Sequence, residues 1–84
     1  METTFKSWLR SALEFRGWTV EHLARRLDVS RAAVYAWHAG DYLPAGTRVT
    51  SILDVLDARA FECAACWAAY HRSQRAQLAS RGDS

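Results

Sequence analysis

Apolar residues recur along this chain at spacings of three and four, with polar residues between them, as in helices that bury one stripe. Phe5, Trp8, Leu9, Ala12 and Leu13 mark a first helix from about Thr4 to Arg16, stopped by Gly17. Val20, Leu23, Ala24 and Leu27 mark a second, which Thr19 can cap. Asp28 and Val29 leave a very short connection. Ser30 then caps a third helix with an inner face of Ala33, Val34 and Trp37, and Gly40 is its natural stop. After the loop from Asp41 to Gly46, Thr47 is expected to cap a fourth helix carrying Val49, Ile52, Leu53 and Leu56. A fifth is expected from about Ala60 to Ala79, with Arg81 to Ser84 frayed. No strand alternation, repeat or low-complexity linker breaks this order. The pattern predicts a single all-α domain over residues 1–84.

Length sharpens the picture. Eighty-four residues suffice for one small core and leave little interior for a catalytic pocket. Four tryptophans are a large aromatic load for this length and predict anchors of the core or of an interface. No apolar run approaches the roughly 20 residues of a membrane span. The opening METTFKSWLR lacks the apolar centre of a signal peptide, so a cytoplasmic location is expected.

The net charge of +2 is mild. Its distribution is more informative. Arg25, Arg26, Arg31 and Arg48 surround the third helix, opposed there only by Asp28 and Asp41. Arginine suits phosphate forks and guanine edges, although an ordinary solvated surface carries arginine too.

The second and third helices, with their short turn, have the geometry of a helix-turn-helix over residues 19–40. Ala24 is small where the third helix must cross, and Val29 and Val34 fill the space between. On Thr19, Leu23, Ala24, Val29, Ser30, Val34, Trp37 and Gly40, the stretch TVEHLARRLDVSRAAVYAWHAGDYLP resembles the phage-repressor (Cro/Xre-type) helix-turn-helix family. The resemblance covers about Leu9 to Leu56. It departs from the family at three places. Val20 stands where a phosphate-holding glutamine is common, Asp28 where the turn glycine is usual, and His38-Ala39 where glutamate-asparagine often precedes the final glycine.

The resemblance implies a compact five-helix lambda-repressor-like domain whose third helix enters the major groove of double-stranded DNA. The base-reading positions are then Arg31, Ala32, Tyr35 and Ala36. Arg31 can fork onto guanine O6 and N7, and the alanines let the backbone come close. Arg31 could equally be a solvated first-turn arginine, and Tyr35 a half-exposed core residue. Backbone contacts are expected from Thr19, Val20, Ser30, Thr47 and Arg48 at helix starts, and from Tyr42, for which a core position is the alternative.

The segment FECAACWAAYHR is apolar around most of the fifth helix. Phe61, Ala64, Ala65 and Ala68 are expected to pack on the domain. Cys63, Cys66, Trp67 and Tyr70 are expected to form the interface of a twofold homodimer, matching a pseudo-palindromic operator. The alternative is a larger monomer core with Trp67 over the first helix. Cys63 and Cys66 have no second ligand pair for a metal and read as small apolar residues. His22, His38 and His71 are scattered without an organising carboxylate or nucleophile. Arg72, Arg75 and Arg81 complement the C-terminal dipole of the last helix. The expectation is therefore a non-enzymatic DNA-binding regulator, most simply a repressor, without cofactor, metal or small-molecule ligand. The alternative is a protein-interaction module on the same scaffold.

Overall fold

The computed structural model describes residues 3–82, with side chains through Ala79. Five helices follow in order: α1 (Phe5–Arg16), α2 (Val20–Leu27), α3 (Arg31–Ala39), α4 (Gly46–Val55) and α5 (Ala60–Gly82). The described residues include no strand. The last helix continues through Gly82, beyond the expected end at Ala79. Of the tail expected to fray, residues 83 and 84 lie outside the described residues.

Local chemistry sets most of the helix ends. Thr4, Thr19 and Ser30 have extended backbone, and their hydroxyls accept from the N–H groups of Ser7, His22 and Ala33. Gly17 and Gly40 close α1 and α3 in the left-handed region at φ 68° and 87°. Asp28 does the same for α2 at φ 57°, a conformation that aspartate tolerates better than most residues. The N–H of Val29 then reaches back to the Ala24 carbonyl at 3.0 Å, which fixes the direction in which α3 leaves. One expected cap is corrected. The N-cap of α4 is Ala45, with no side-chain hydrogen bond, and Thr47 lies inside the helix. Just before this entry the carbonyl of buried Pro44 accepts from the Tyr70 hydroxyl, a tertiary tie that leaves the first N–H groups of α4 uncapped by any side chain.

The core takes residues from all five helices. Phe5, Leu9, Leu23, Val34, Val49, Ile52 and Cys66 are fully buried. Packing runs α2 on α3, α1 on α5 and α3, and α2 on α4. Ala24 is almost wholly enclosed, as a close α2–α3 crossing requires. Trp37 is a core residue.

The phase of α5 corrects the expected dimer face. Cys66 and Tyr70 are buried within the chain's own core, and Cys63 and Trp67 pack against it. Phe61 is 71% exposed, and Ala64, Ala65 and Ala68 also face outward. Apolar area explains the choice. A tryptophan, a tyrosine and two cysteines bury more than a phenylalanine and three alanines, and Tyr70 finds a buried acceptor. Trp67 lies over α4 rather than α1, with its Cη2 4.0 Å from where a Cβ on Gly46 would stand.

Polar stitches fix the start and the middle of α5. Arg16 donates to the Leu56 carbonyl at 3.0 Å and to Glu62 Oε2 at 2.8 Å. Glu62 also accepts the Arg59 N–H just before the helix, half of a capping box. The carboxyl of Glu62 titrates below its ordinary value, first because of Arg16 and then because of the Arg59 N–H. Further along, Ser73 Oγ accepts the Phe5 N–H at 2.9 Å, which ties the start of α1 to α5.

Candidate nucleic-acid interface

The outward face of α3 is built by its own register. Val34 and Trp37 point inward, so positions 31, 32 and 35 point out, with 36 at the margin. Arg31 and Ala32 are exposed, Tyr35 is 48% exposed and Ala36 is half-buried. Tyr35 belongs neither to the core cluster nor to the partly buried residues packed on it, so its alternative as a half-exposed core residue is set aside. Ser30 Oγ is taken as an acceptor by Ala33 N–H at 3.1 Å, and Ser30 itself is exposed.

α2 contributes the neighbouring edge. Its first N–H groups lack intrahelical acceptors, as at any helix start. Thr19 Oγ1 satisfies His22 N–H at 3.0 Å. The Val20 side chain is buried, so this residue can meet a ligand only through its backbone. Glu21 was not among the residues expected to matter. Its carboxylate accepts the Tyr35 hydroxyl proton at 2.6 Å and joins the two helices across the face. That hydrogen bond is the main reason Glu21 titrates below its usual range; its own backbone N–H follows, and Arg31 and Arg25 add to it. The Tyr35 phenol is raised by the same contact. The acidic residue in the first turn of a helix expected to receive phosphate is the sequence signal that could have found it.

The charge on this side is mostly unpaired. Among the described residues the only ion pair is Arg16–Glu62, so Arg25, Arg31 and Arg48 form none. Arg26 instead lies 5.4 Å over the Trp18 ring, a packing role. Tyr42 is 69% exposed, and its N–H reaches the Ala36 carbonyl at the end of α3, so its core alternative is also set aside. Thr47 and Arg48 are exposed at the start of α4, and no described contact joins them to the α3 face. The structure thus brings Thr19, Val20, Glu21, Arg31 and Tyr35 to one edge, attaches Tyr42 to the far end of α3, and leaves Thr47 and Arg48 separate.

The remaining candidates carry little chemistry. Burial, and then Cys63, push the Cys66 thiol up to about 12. No group of three or more metal-ligating side chains occurs among the described residues, and no helix there is long and apolar enough to cross a membrane. Comparison with family models, curated proteins and solved structures gives no match to this chain.

Proposed function

We propose that this chain is a sequence-specific double-stranded DNA-binding regulator of the lambda-repressor-like helix-turn-helix type, acting as a repressor by occupying its operator. The observation that carries the reading is the short α2–α3 connection, which leaves α3 with an uncovered face of one arginine, one tyrosine and small residues. A helix face with so few long side chains suits a groove about 12 Å across. Arg31 takes a guanine edge, and Ala32 and Ala36 let the helix axis approach. Phosphates meet the N–H groups at the starts of α2 and α4, with Ser30, Tyr42 and Arg48 beside them. The proposed role is binding, with no chemical step, cofactor or metal.

The regulator acts as a homodimer whose second copy seats on the outward stripe of α5. Phe61 and Phe15, the latter 85% exposed, flank a groove floored by Trp8 and Ala12. Across a twofold axis these four rings remove roughly 600 Å² from water. That is about half of the smallest standard interface, near 1,200 Å². Close approach at the exposed Ala64, Ala65 and Ala68 adds further apolar area.

The test is selection from random duplex DNA with the full chain at two salt concentrations. An enriched motif with twofold symmetry, weakened as salt rises and lost in Arg31→Ala, supports the reading. Absence of binding at low salt rejects it. It would favour instead a protein-interaction module, for which the Glu21 carboxylate at the start of α2, where a phosphate would bind, is the specific observation. Sedimentation showing only monomer at micromolar concentration rejects the dimer.

A further inference from the structure

Resting on that DNA-binding reading, we infer that Glu21 fixes the hydrogen-bonding polarity of Tyr35, so that the phenol meets the major groove as an acceptor and selects a base bearing an exocyclic amino group.

A phenol has one proton and one oxygen. In this structure the proton is committed to Glu21 Oε1 at 2.6 Å. An ionised carboxylate only accepts, so the direction of this bond is fixed. A hydroxyl bonded to a charged acceptor is also held more firmly than one bonded to a neutral group. Excluding water at a DNA surface strengthens the bond further. What remains for a ligand is the lone-pair side of the phenol oxygen.

This excludes most partners in the groove. Phosphate oxygens, thymine O4, and guanine O6 and N7 all require a donor, and the phenol has none left. The major-groove donors are adenine N6 and cytosine N4. Swinging the hydroxyl to a phosphate would leave Glu21 ionised beside that phosphate without its partner, the least favourable arrangement available to the pair. Arg31 lies one helical turn before Tyr35 and presents only donors, so it takes the complementary role on guanine. Between them Ala32 is too short to compete. The pair Arg31–Tyr35 therefore reads a guanine and, beside it, an amino base. Glu21 is a positioning residue that need not touch the DNA to determine the second base.

The experiment uses the full chain and two variants, Glu21→Ala and Tyr35→Phe, in the random-duplex selection. Far-UV circular dichroism checks that each is folded, and both sites are on the surface. The wild type should enrich adenine or cytosine beside the Arg31-dependent guanine, roughly three- to ten-fold over other bases. Tyr35→Phe should lose that preference and keep the guanine. Glu21→Ala frees the phenol proton and should move the preference to thymine or guanine. An unchanged preference in Glu21→Ala, or a wild-type preference for thymine or guanine at the Tyr35-dependent position, overturns the inference while the DNA reading stands. Failure of the wild type to bind any duplex removes both. Ultraviolet titration supplies a readout without DNA. The phenol lost in Tyr35→Phe should ionise at higher pH in the wild type than in Glu21→Ala, and equal values would overturn the inference on their own.

Discussion

The Tyr70 hydroxyl donates to the Pro44 carbonyl at 2.7 Å, buried, across 26 residues of sequence. It is the polar link between the inner face of α5 and the loop that carries the chain from α3 to α4. The ring of Tyr70 also meets Phe5 edge-on at 5.8 Å and Trp67 at 5.6 Å. Tyr70→Phe keeps the ring packing and leaves a buried acceptor unpaired, which should cost about 1–3 kcal/mol. For a domain of this size each kcal/mol lowers the melting temperature by about 4–8 °C. A melt indistinguishable from wild type would mean that the bond contributes nothing in solution.

The same residue shows where the sequence was legible and where it was not. Helix number and order followed from local periods, because Gly17, Gly40, Thr19 and Ser30 act on their immediate neighbours. The phase of α5 did not. Both of its stripes are apolar, and periodicity cannot rank two apolar faces. The decision came from Tyr70 finding a carbonyl in a distant loop and from ring volume. The cap of α4 was misplaced for a related reason. Thr47 has a capping side chain, but α4 already begins at Gly46 after Ala45, and no local side chain marks that start. On the candidate site, the outward residues of α3 could be read from its register, whereas the Glu21–Tyr35 contact joins separate helices.

Asp28 and Gly40 make opposite predictions from the same backbone conformation. Asp28 holds φ 57° with a Cβ, so Asp28→Gly should relieve strain and stabilise the protein by about 0.5–1 kcal/mol. Gly40 holds φ 87°, and a Cβ there would stand 2.7 Å from Lys6 Cδ. The lysine stem can swing aside, so the cost of Gly40→Ala comes mainly from the backbone, about 1–2 kcal/mol. Urea denaturation of the two variants should displace the midpoint in opposite directions. Equal displacement would contradict the left-handed geometry at one of the two sites.

The two cysteines should separate kinetically. Cys66 is fully buried, and its thiol is pushed up to about 12, so almost no thiolate exists at neutral pH. Cys63 is half-buried, with Sγ 3.8 Å from the Ala58 carbonyl. A thiol reagent at pH 8 should modify Cys63 first and reach Cys66 only as fast as the protein opens. Mass spectrometry of partly labelled protein, digested and mapped, would show this order. Simultaneous labelling of both would place Cys66 nearer the surface than the structure does.

His38 sets an acid limit on stability. It lies in the last turn of α3, where the helix dipole favours a protonated imidazole. Burial opposes that charge, and Arg10, whose Nε donates to the His38 carbonyl at 2.9 Å, opposes it further. The folded-state pKa falls below the ordinary value of about 6.5. The unfolded chain then binds a proton more readily than the folded one. The contribution of neutral His38 is complete above pH 6.5 and is lost as pH falls from there through the lowered folded value. Urea midpoints measured from pH 7.5 down to pH 5 should therefore decline in the wild type, and His38→Gln should flatten that part of the curve. If His38→Gln leaves the decline unchanged, the acid sensitivity belongs to another group and His38 is more exposed in solution than its packing against Arg10 implies.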